Sequence, residues 1–194
     1  MTGHGRFSVE ESVRRTWYNP ELILKDAGLG SGMIFADIGC GDGFFSILAS
    51  EIVGEIGKVH ALDIDGSAID KLKARAAEKG LTNIHTSVGA AEETLICKEC
   101  VDIIFLSMVL HDFDDQENVL LNAKQMLKRN GLLVNLDWKK TQMDFGPPLN
   151  IRFSQEKAAE LLKQAGFKVE KVKEAGPYHY IITAKSVSRR GIAV

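Results

Sequence analysis

A strand that breaks into a glycine-rich turn constrains this chain more than any other feature. The apolar run Met33–Ala36 is typical of a buried parallel strand, and Asp37 follows it. Glycines stand at positions 39, 41 and 43, and apolar residues resume at helical spacing over residues 44–49. A strand, a glycine turn and a helix in this order let a ligand lie against bare backbone at a helix N-terminus. The stretch therefore predicts a ligand site where this helix begins.

The spacing of the glycines decides between ligands. A dinucleotide fingerprint, Gly-x-Gly-x-x-Gly, would place its third glycine at position 44, where this chain has Phe44. The third glycine comes one place earlier, and an acidic residue stands two places before the first. This pattern resembles the first motif of the class I methyltransferases that use S-adenosylmethionine (SAM). The resemblance implies a cofactor site formed by Asp37, Gly39, Cys40, Gly41 and Gly43.

The acidic residue of the motif suits SAM for an electrostatic reason. SAM carries an ammonium and a sulfonium and has no phosphate, whereas a dinucleotide presents a pyrophosphate. Asp37 would repel the pyrophosphate and attract a cation. The alternative is a tight strand-to-helix turn with a solvated aspartate.

Strand and helix patterns alternate along most of the chain. The predicted strands are Met33–Ile38, Lys58–Asp63, Ile84–Val88, Val101–Ser107, Leu132–Asp137, Phe167–Val172 and Tyr178–Lys185. The predicted helices are Phe44–Val53, Ser67–Lys79, Gln116–Lys128 and Ser154–Gln164, with a single helix in the first thirty residues, capped by Asn19 and stopped by Gly28. Such alternation predicts right-handed βαβ units and a parallel sheet covered by helices on both faces.

The end of the chain departs from this alternation. Only residues 174–177 separate the last two predicted strands, and so short a connection joins antiparallel strands. The class I methyltransferase sheet is similar, because its last strand inserts antiparallel. We therefore expect an α/β three-layer sandwich with a seven-stranded, mostly parallel sheet. Residues 1–30 form an N-terminal helical segment on the substrate side, residues 31–185 the SAM-binding domain, and residues 186–194 a tail.

Length and charge limit the classes of function. A chain of 194 residues is expected to form one domain, and its net charge of -2 gives no electrostatic footprint for nucleic acid. No apolar run reaches membrane-spanning length, and the N-terminus lacks a signal-peptide core. Three cysteines make no disulfide framework. We expect a cytoplasmic protein without a membrane partner, and the charge disfavours nucleic acid as a partner. A homodimer is an open possibility.

A second cofactor signal ends the strand Lys58–Asp63. An acidic residue at this place can accept both ribose hydroxyls with its two carboxylate oxygens. Asp63 is that residue by position, and Ile64 beside it is expected to lie against the adenine. Asp65 is the competing carboxylate. Asp63 is preferred because Gly66 and Ser67 already begin the next turn and helix.

A third signal follows the strand Ile84–Val88. The family commonly has Gly-Asp-Ala-Glu here, and its aspartate accepts a hydrogen bond from the adenine amino group. This chain has Ala90 in place of that aspartate. Adenine recognition is therefore assigned to the backbone of Ala91 or to Glu92, the alternative for Glu92 being a charge in the first turn of a helix.

The fourth signal lies where the strand Val101–Ser107 ends. Ligands of open α/β sheets bind outside the carboxyl ends of the strands, near the switch in strand order. Residues 107–112 should therefore border the reactive end of the cofactor, with Ser107 as a cofactor contact. The segment resembles the Leu-His-His segment of methyltransferases that act on small molecules, among them the quinone-biosynthesis C-methyltransferases, with Asp112 replacing the second histidine. His111 is the candidate general base, and the alternative is a structural histidine.

The acceptor pocket has to come from the N-terminal segment and the loops after the fourth and fifth strands, because the chain resembles small prokaryotic members without a substrate domain. The resemblance covers residues 19–185. The nominated walls are Trp17, Tyr18, His111, Trp138 and Phe145, with Tyr178 and His179 as more distant candidates. Core or rim packing is the competing role for each of them.

Cys97 and Cys100 form a Cys-x-x-Cys pair with no assigned chemistry. Zinc would need two further ligands, and the remaining Cys40 lies in the cofactor turn. We predict loop thiols that form a disulfide under oxidation, and no metal site.

The predicted function is transfer of a methyl group from SAM to a small-molecule acceptor by in-line displacement, mainly through positioning. An NAD(P)-dependent dehydrogenase is opposed by the early third glycine and by the C-terminal hairpin. Methylation of a protein or an RNA, and SAM binding without catalysis, are the alternatives.

Overall fold

The computed structural model describes residues 9–187. The helices are α1 (Glu11–Trp17), α2 (Pro20–Asp26), α3 (Phe44–Val53), α4 (Gly66–Glu78), α5 (Gln116–Met126) and α6 (Gln155–Gln164). The strands are β1 (Ile34–Ile38), β2 (Lys58–Asp63), β3 (Ile84–Val88), β4 (Val101–Ser107), β5 (Leu127–Trp138), β6 (Phe167–Ala175) and β7 (His179–Ser186). A single 3-10 turn, Leu110–Asp112, follows β4 within this part of the chain.

The strands form one seven-stranded sheet in the order β3-β2-β1-β4-β5-β7-β6. The pairs among β1 to β5 are parallel, and β7 is antiparallel to both β5 and β6. The expected antiparallel last strand is confirmed. The order reverses between β1 and β4, so the carboxyl ends of these two strands flank the switch point at which open α/β sheets bind ligands.

Helices cover both faces of the sheet. Ile103 and Phe105 of β4 pack with residues of α2 and α3, and α4 continues this layer over β2. Ile104 and Leu106 point to the opposite face and pack with α5 and α6. Because successive residues of a strand point to opposite faces, a run that is apolar throughout requires two helical layers. The three-layer sandwich is thus confirmed.

The N-terminal segment has two helices among the described residues, where the sequence predicted one. Asn19 caps α2 as expected, its side chain accepting a hydrogen bond from the N–H of Leu22. The additional helix α1 buries none of its residues. It therefore lacks the apolar stripe by which a helix is predicted, and Arg14, Arg15 and Glu11 hold it through polar contacts instead.

Several predicted boundaries were wrong, among them the start of β5 at Leu127 instead of Leu132 and the end of β6 at Ala175 instead of Val172. The helix expected to run to Lys128 ends at Met126, because Leu127 already pairs with Val101 of β4 and residues 128–131 bulge before the pairing resumes at Leu132. The helix predicted to begin at Ser67 begins at Gly66, and its cap is Asp65, whose side chain accepts a hydrogen bond from the N–H of Ser67. Ser186, predicted as the first residue of a tail, is the last residue of β7, and residues 1–8 and 188–194 lie outside the described part of the chain.

Candidate active site

A cavity of about 470 Å³ lies at the carboxyl ends of β1 and β4. A volume of this size is typical of a site for a small molecule or cofactor. The predicted site residues that line it are Asp37, Gly39, Cys40, Gly41, Asp63, Ser107, His111, Trp17 and Trp138. Residues of the turn, of the strand ends and of the N-terminal segment are therefore brought together at the switch point.

Asp37 is a buried carboxylate at the glycine end of this cavity. Its side chain is 1% exposed, Oδ2 accepts a hydrogen bond of 2.6 Å from the Ser46 hydroxyl, and Oδ1 has no hydrogen-bond partner. Burial raises the pKa of Asp37 to about 6, and the negative charge of Asp63 adds to this, while Ser46 and Arg14 oppose it. A cation in the cavity would therefore gain a buried anionic partner and would favour the ionised form of Asp37.

Two glycines of the turn have different physical roles. Gly41 has a φ of +56° and lines the cavity, and a Cβ added there would meet no protein atom within 4 Å. Gly43 has a φ of +85°, and a Cβ there would lie 2.2 Å from Cδ1 of the buried Leu72. Gly43 is absent from the cavity wall and makes room for α4 to pack against α3. Gly41 leaves bare backbone for a ligand.

Asp63 fixes the turn to the end of β2. Its Oδ2 accepts a hydrogen bond of 2.8 Å from the N–H of Gly41, and its Oδ1 accepts one of the same length from the N–H of Asp65. A carboxylate accepts hydrogen bonds only, which is what the hydroxyls of a ribose require at this strand end. Asp65, the competing carboxylate, also borders the cavity. Ala68 and Lys71 of α4 border it too, and neither of these two was predicted from the sequence.

The residues predicted to hold the adenine lie outside the cavity wall. Ile64 is 61% exposed at the end of β2. The carbonyl of Ala91 accepts a hydrogen bond from the Asn122 side chain, and Glu92 Oε1 accepts one from the N–H of Asp114. These bonds tie the loop after β3 to α5 and to the segment before it. The adenine contacts of Ile64, Ala91 and Glu92 stay predictions.

His111 is held in the 3-10 turn after β4 and faces the cavity. Its Nδ1 lies 2.8 Å from Oδ1 of Asp137, both side chains being 1% exposed, and its Nε2 lies 3.4 Å from Oδ1 of Asp112. Because a carboxylate only accepts hydrogen bonds, Nδ1 carries the proton that it donates to Asp137. The neutral ring then has an Nε2 lone pair with which it can accept a proton.

Two opposing causes set the pKa of His111. Burial lowers it, but the hydrogen bond and charge of Asp137, together with the charge of Asp112, outweigh burial and raise the pKa above its ordinary value. Asp137 also accepts a hydrogen bond from the N–H of Trp138, which fixes its orientation. Asp137 was not predicted as a site residue, although its place at the carboxyl end of the strand next to β4 is a signal that could have indicated it.

The backbone after β4 is bent beside His111. Met108 has a φ of +57°, and its N–H donates a hydrogen bond of 2.6 Å to the carbonyl of Leu136 in β5. A non-glycine residue in this left-handed region is uncommon, and such strain is concentrated at functional sites. The bend turns the chain from the strand into the cavity wall, which Met108 and Val109 help to form.

Aromatic side chains form the opposite wall. Trp17 and Trp138 line the cavity with ring centroids 5.4 Å apart, and Phe145 stacks on Trp17 from behind, also at 5.4 Å. Tyr18, predicted as a wall residue, is absent from the cavity lining and instead stacks on Phe45 in the core. The physical reason is that Tyr18 follows the last residue of α1 and points into the layer of α2 and α3.

The two more distant candidates lie behind this wall. His179 is fully buried, with its ring 4.3 Å from that of Trp138, and Tyr178 packs edge-on against Phe145. Burial lowers the pKa of His179 to about 3, and the charges of Arg14, Lys139 and Arg152 act in the same direction. His179 is therefore neutral and supports the wall by packing.

The loop after β5 completes the cavity because Arg152 holds its backbone. The buried Arg152 donates hydrogen bonds to the carbonyls of Pro147 at 2.7 Å, Phe145 at 2.9 Å and Thr141 at 3.0 Å. The same loop contributes Pro147, Pro148 and Ile151 to the cavity wall. The acceptor end of the cavity is thus apolar apart from His111 and Asp112.

The remaining cysteines lie away from this cavity. Cys97 and Cys100, in the loop before β4, have Cα atoms 6.1 Å apart and are paired as a disulfide. Within residues 9–187, no three His, Cys, Asp or Glu side chains lie close enough together to hold a metal ion. None of the helices described here is long and apolar enough to cross a membrane.

The strand order, the antiparallel β7 and the acidic glycine turn at the switch point together define a class I methyltransferase fold. Among solved structures, a SAM dependent methyltransferase from Aquifex aeolicus superposes with a TM-score of 0.85 at 29% identity, covering 93% of this chain and 100% of that one. The methyltransferase domain family matches residues 29–181. The chain therefore belongs to this methyltransferase family, and SAM is its cofactor.

Two curated relatives share part of their length with this chain. The ubiquinone/menaquinone biosynthesis C-methyltransferase UbiE of Vibrio vulnificus is 29% identical over 133 residues, 68% of this chain and 50% of the relative. A probable cobalt-precorrin-6B C(15)-methyltransferase (decarboxylating) of Sulfurisphaera tokodaii is 34% identical over 114 residues, 58% of this chain and 57% of the relative. The chain thus spans about half the length of the curated relatives it matches.

Proposed function

We propose that this protein transfers a methyl group from SAM to a small-molecule acceptor. The observation that carries the proposal is one continuous cavity that joins a buried carboxylate and bare glycine backbone to a buried His–Asp pair. The first end suits a cationic nucleoside, and the second suits a group that has to lose a proton. The cytoplasmic location and the homodimer stay predictions.

The residues at the glycine end fit SAM. Asp37 has an unpartnered carboxylate oxygen for the ammonium, Gly41 leaves space at the backbone, and Asp63 places a carboxylate on the cavity wall for the ribose hydroxyls. When bound, SAM supplies a methyl group that is activated by a sulfonium. The protein's own contribution at this end is to bind, to orient and to exclude water.

The acceptor end supports a role for His111 as general base. Its Nε2 accepts the proton of the acceptor, while Nδ1 stays hydrogen-bonded to Asp137, whose negative charge stabilises the imidazolium that results. The raised pKa makes His111 a stronger base than a free histidine. Asp137 does not itself face the acceptor and acts as a positioning residue.

The walls favour a small and largely apolar acceptor. Trp17, Trp138, Met108, Pro147, Pro148 and Ile151 provide flat or apolar surface. Because the cofactor takes much of the 470 Å³, a compact acceptor fits best. Two relatives are named as C-methyltransferases of quinone and cobalt-precorrin biosynthesis, and this supports carbon as the methylated atom. The net charge of -2 gives no support for RNA.

The test is S-adenosylhomocysteine (SAH) release, measured by mass spectrometry with the purified chain. The acceptor arms are menadiol, a panel of phenolic and enolic compounds, a peptide pool and an RNA pool. We expect turnover with a small molecule, and His111→Asn should lower kcat about 10²–10⁴-fold while leaving SAM affinity within about 3-fold. His85→Asn, in β3 and outside the cavity, is the matched control. Turnover with peptide or RNA alone, or SAM binding without SAH release, would contradict the proposal.

The pH profile separates a base from a structural histidine. A base has to be neutral, so kcat should fall as the pH drops through the raised pKa of His111. Asp137→Asn removes the largest cause that raises this pKa, so it should lower kcat and move the acid limb to lower pH. An acid limb that does not move would assign the pH dependence to another group.

A further inference from the structure

Arg14 of α1 reaches into the cavity at the end that holds Asp37. Its Nη2 donates a hydrogen bond of 3.3 Å to the Ser107 hydroxyl and its Nε donates one of 3.1 Å to the Tyr18 hydroxyl. The guanidinium carbon lies 4.1 Å from the centroid of the Phe44 ring. Contacts with a strand end, a core tyrosine and the first residue of α3 thus fix the guanidinium beside the glycine turn.

Opposite charges therefore flank one end of the cavity. The positive charge of Arg14 acts on Asp37, since it opposes the effect of burial on that carboxyl group. A guanidinium beside the site of a doubly cationic cofactor would weaken binding unless it met a negative group there. The amino-acid end of SAM carries such a group, because its carboxylate and its ammonium are attached to the same carbon.

We propose that Arg14 binds the carboxylate of the methionine moiety of SAM, while Asp37 takes the adjacent ammonium. The planar guanidinium matches a carboxylate with two parallel hydrogen bonds, for which a lysine is a poor substitute. The pair Arg14 and Asp37 thereby recognises a zwitterion, and each residue neutralises the charge that the other would leave in the cavity.

The position of Arg14 also couples the cofactor to the acceptor wall. α1 lies across the cavity, because Glu11 contacts Arg75 of α4 at 2.7 Å and Trp17 contacts Trp138 of β5. Arg14 and Trp17 are one turn apart on this helix. A carboxylate bound by Arg14 therefore holds α1 in the place where Trp17 completes the wall, and SAM is expected to bind before the acceptor.

The test compares SAM with decarboxylated SAM, which keeps the ammonium and the sulfonium but lacks the carboxylate. Binding is measured by calorimetric titration. Arg14→Met, which keeps the stem on Phe44, should weaken SAM binding about 10–100-fold. It should leave the affinity for decarboxylated SAM within about 3-fold or improve it. Arg14→Lys should weaken SAM binding less, because it keeps the charge.

Arg15→Met is the matched control, because it removes the same charge from the same helix. Arg15 pairs with Glu11 and Glu21 outside the cavity, so SAM affinity should change less than about 2-fold. If Arg14→Met and Arg14→Lys each weakened the binding of SAM and of decarboxylated SAM equally, the result would overturn the proposal in favour of a structural role for the helix. If neither variant weakened the binding of either ligand, the result would overturn the proposal in favour of an acceptor contact for Arg14.

The inference depends on SAM as cofactor and not on the proposed acceptor. A protein that discriminates the two ligands through Arg14 but releases no SAH would contradict only the proposed function. The reverse result, turnover without discrimination by Arg14, would contradict only the present inference.

Discussion

Asp37 illustrates at the level of a residue how function opposes stability. Its carboxyl group is fully buried, and its pKa of about 6 means that ionisation is less favourable in the folded protein than in the unfolded chain. The native state therefore binds this proton more tightly than the unfolded chain does. The group destabilises the fold progressively as the pH rises from about 4 to about 6, and the penalty is complete above that range.

We expect Asp37→Asn to stabilise the free protein and to impair cofactor binding. Removal of the buried charge should raise the free energy of unfolding at pH 7 by about 1–3 kcal/mol, and the gain should disappear near pH 4. SAM affinity should fall at least about 10-fold at pH 7. Urea unfolding and calorimetric titration at several pH values measure the two effects. Asp70→Asn, exposed on α4, should change neither, and a less stable Asp37→Asn protein at pH 7 would refute the argument.

The glycine turn allows binding and packing to be separated by two substitutions. Gly41→Val places a side chain in the cavity, so SAM binding should fall more than about 10-fold at a stability cost of about 1–2 kcal/mol for the positive φ. Gly43→Ala forces a methyl group against Leu72 and should cost about 2–4 kcal/mol of stability. The folded fraction of the Gly43 variant should still bind SAM. Equal losses of affinity in titrations of the two variants would show that the distinction is wrong.

At the level of elements, α1 is a short helix that buries none of its residues and is held at both ends by side chains of other elements. Glu11 joins it to Arg75 of α4, which also donates a hydrogen bond of 2.9 Å to the carbonyl of Asp42 in the turn. The Glu11 and Arg75 side chains are 40% and 29% exposed, so this ion pair is weak and sensitive to salt. The helix therefore belongs to the low-stability end of the molecule.

Loosening α1 should speed exchange of the cofactor. Glu11→Gln removes the pair with Arg75, and we expect SAH to dissociate about 2–5-fold faster, with little change in global stability. Stopped-flow measurement of SAH release at low and high salt tests this, and high salt should reduce the difference from the wild type. Glu51→Gln breaks a comparable pair with Lys79 away from the cavity and should leave the rate unchanged. A rate that is the same in all three proteins would exclude α1 as a barrier to release.

For the whole molecule, the sequence predicts the sheet well because its signals are local. The bounds of β2, β3 and β4 agree with the predicted residues, since β4 is a largely apolar run and glycines stand within three residues of the ends of β2 and β3. The short connection between β6 and β7 was sufficient to predict their antiparallel pairing. Where pairing is decided by a distant strand, as at Leu127, the local helical pattern gave the wrong boundary.

The site was predicted in part for a similar reason. Asp37, Gly41, Asp63 and His111, which were predicted from glycine spacing and strand ends, all line one cavity. Arg14 contacts Ser107, 93 residues away in sequence, and Asp137 contacts His111, 26 residues away. Neither partner belongs to a local motif, so only the arrangement of the strands and of α1 reveals them.

The composition of the aromatic wall has a practical consequence. The chain contains two tryptophans, and Trp17 and Trp138 both border the cavity. Tryptophan fluorescence of the native protein therefore originates at one wall of one site. Trp17 is the last residue of α1, and Trp138 is the last residue of β5. The molecule carries its own optical probe, and compounds that occupy the wall can be found by fluorescence with no attached dye.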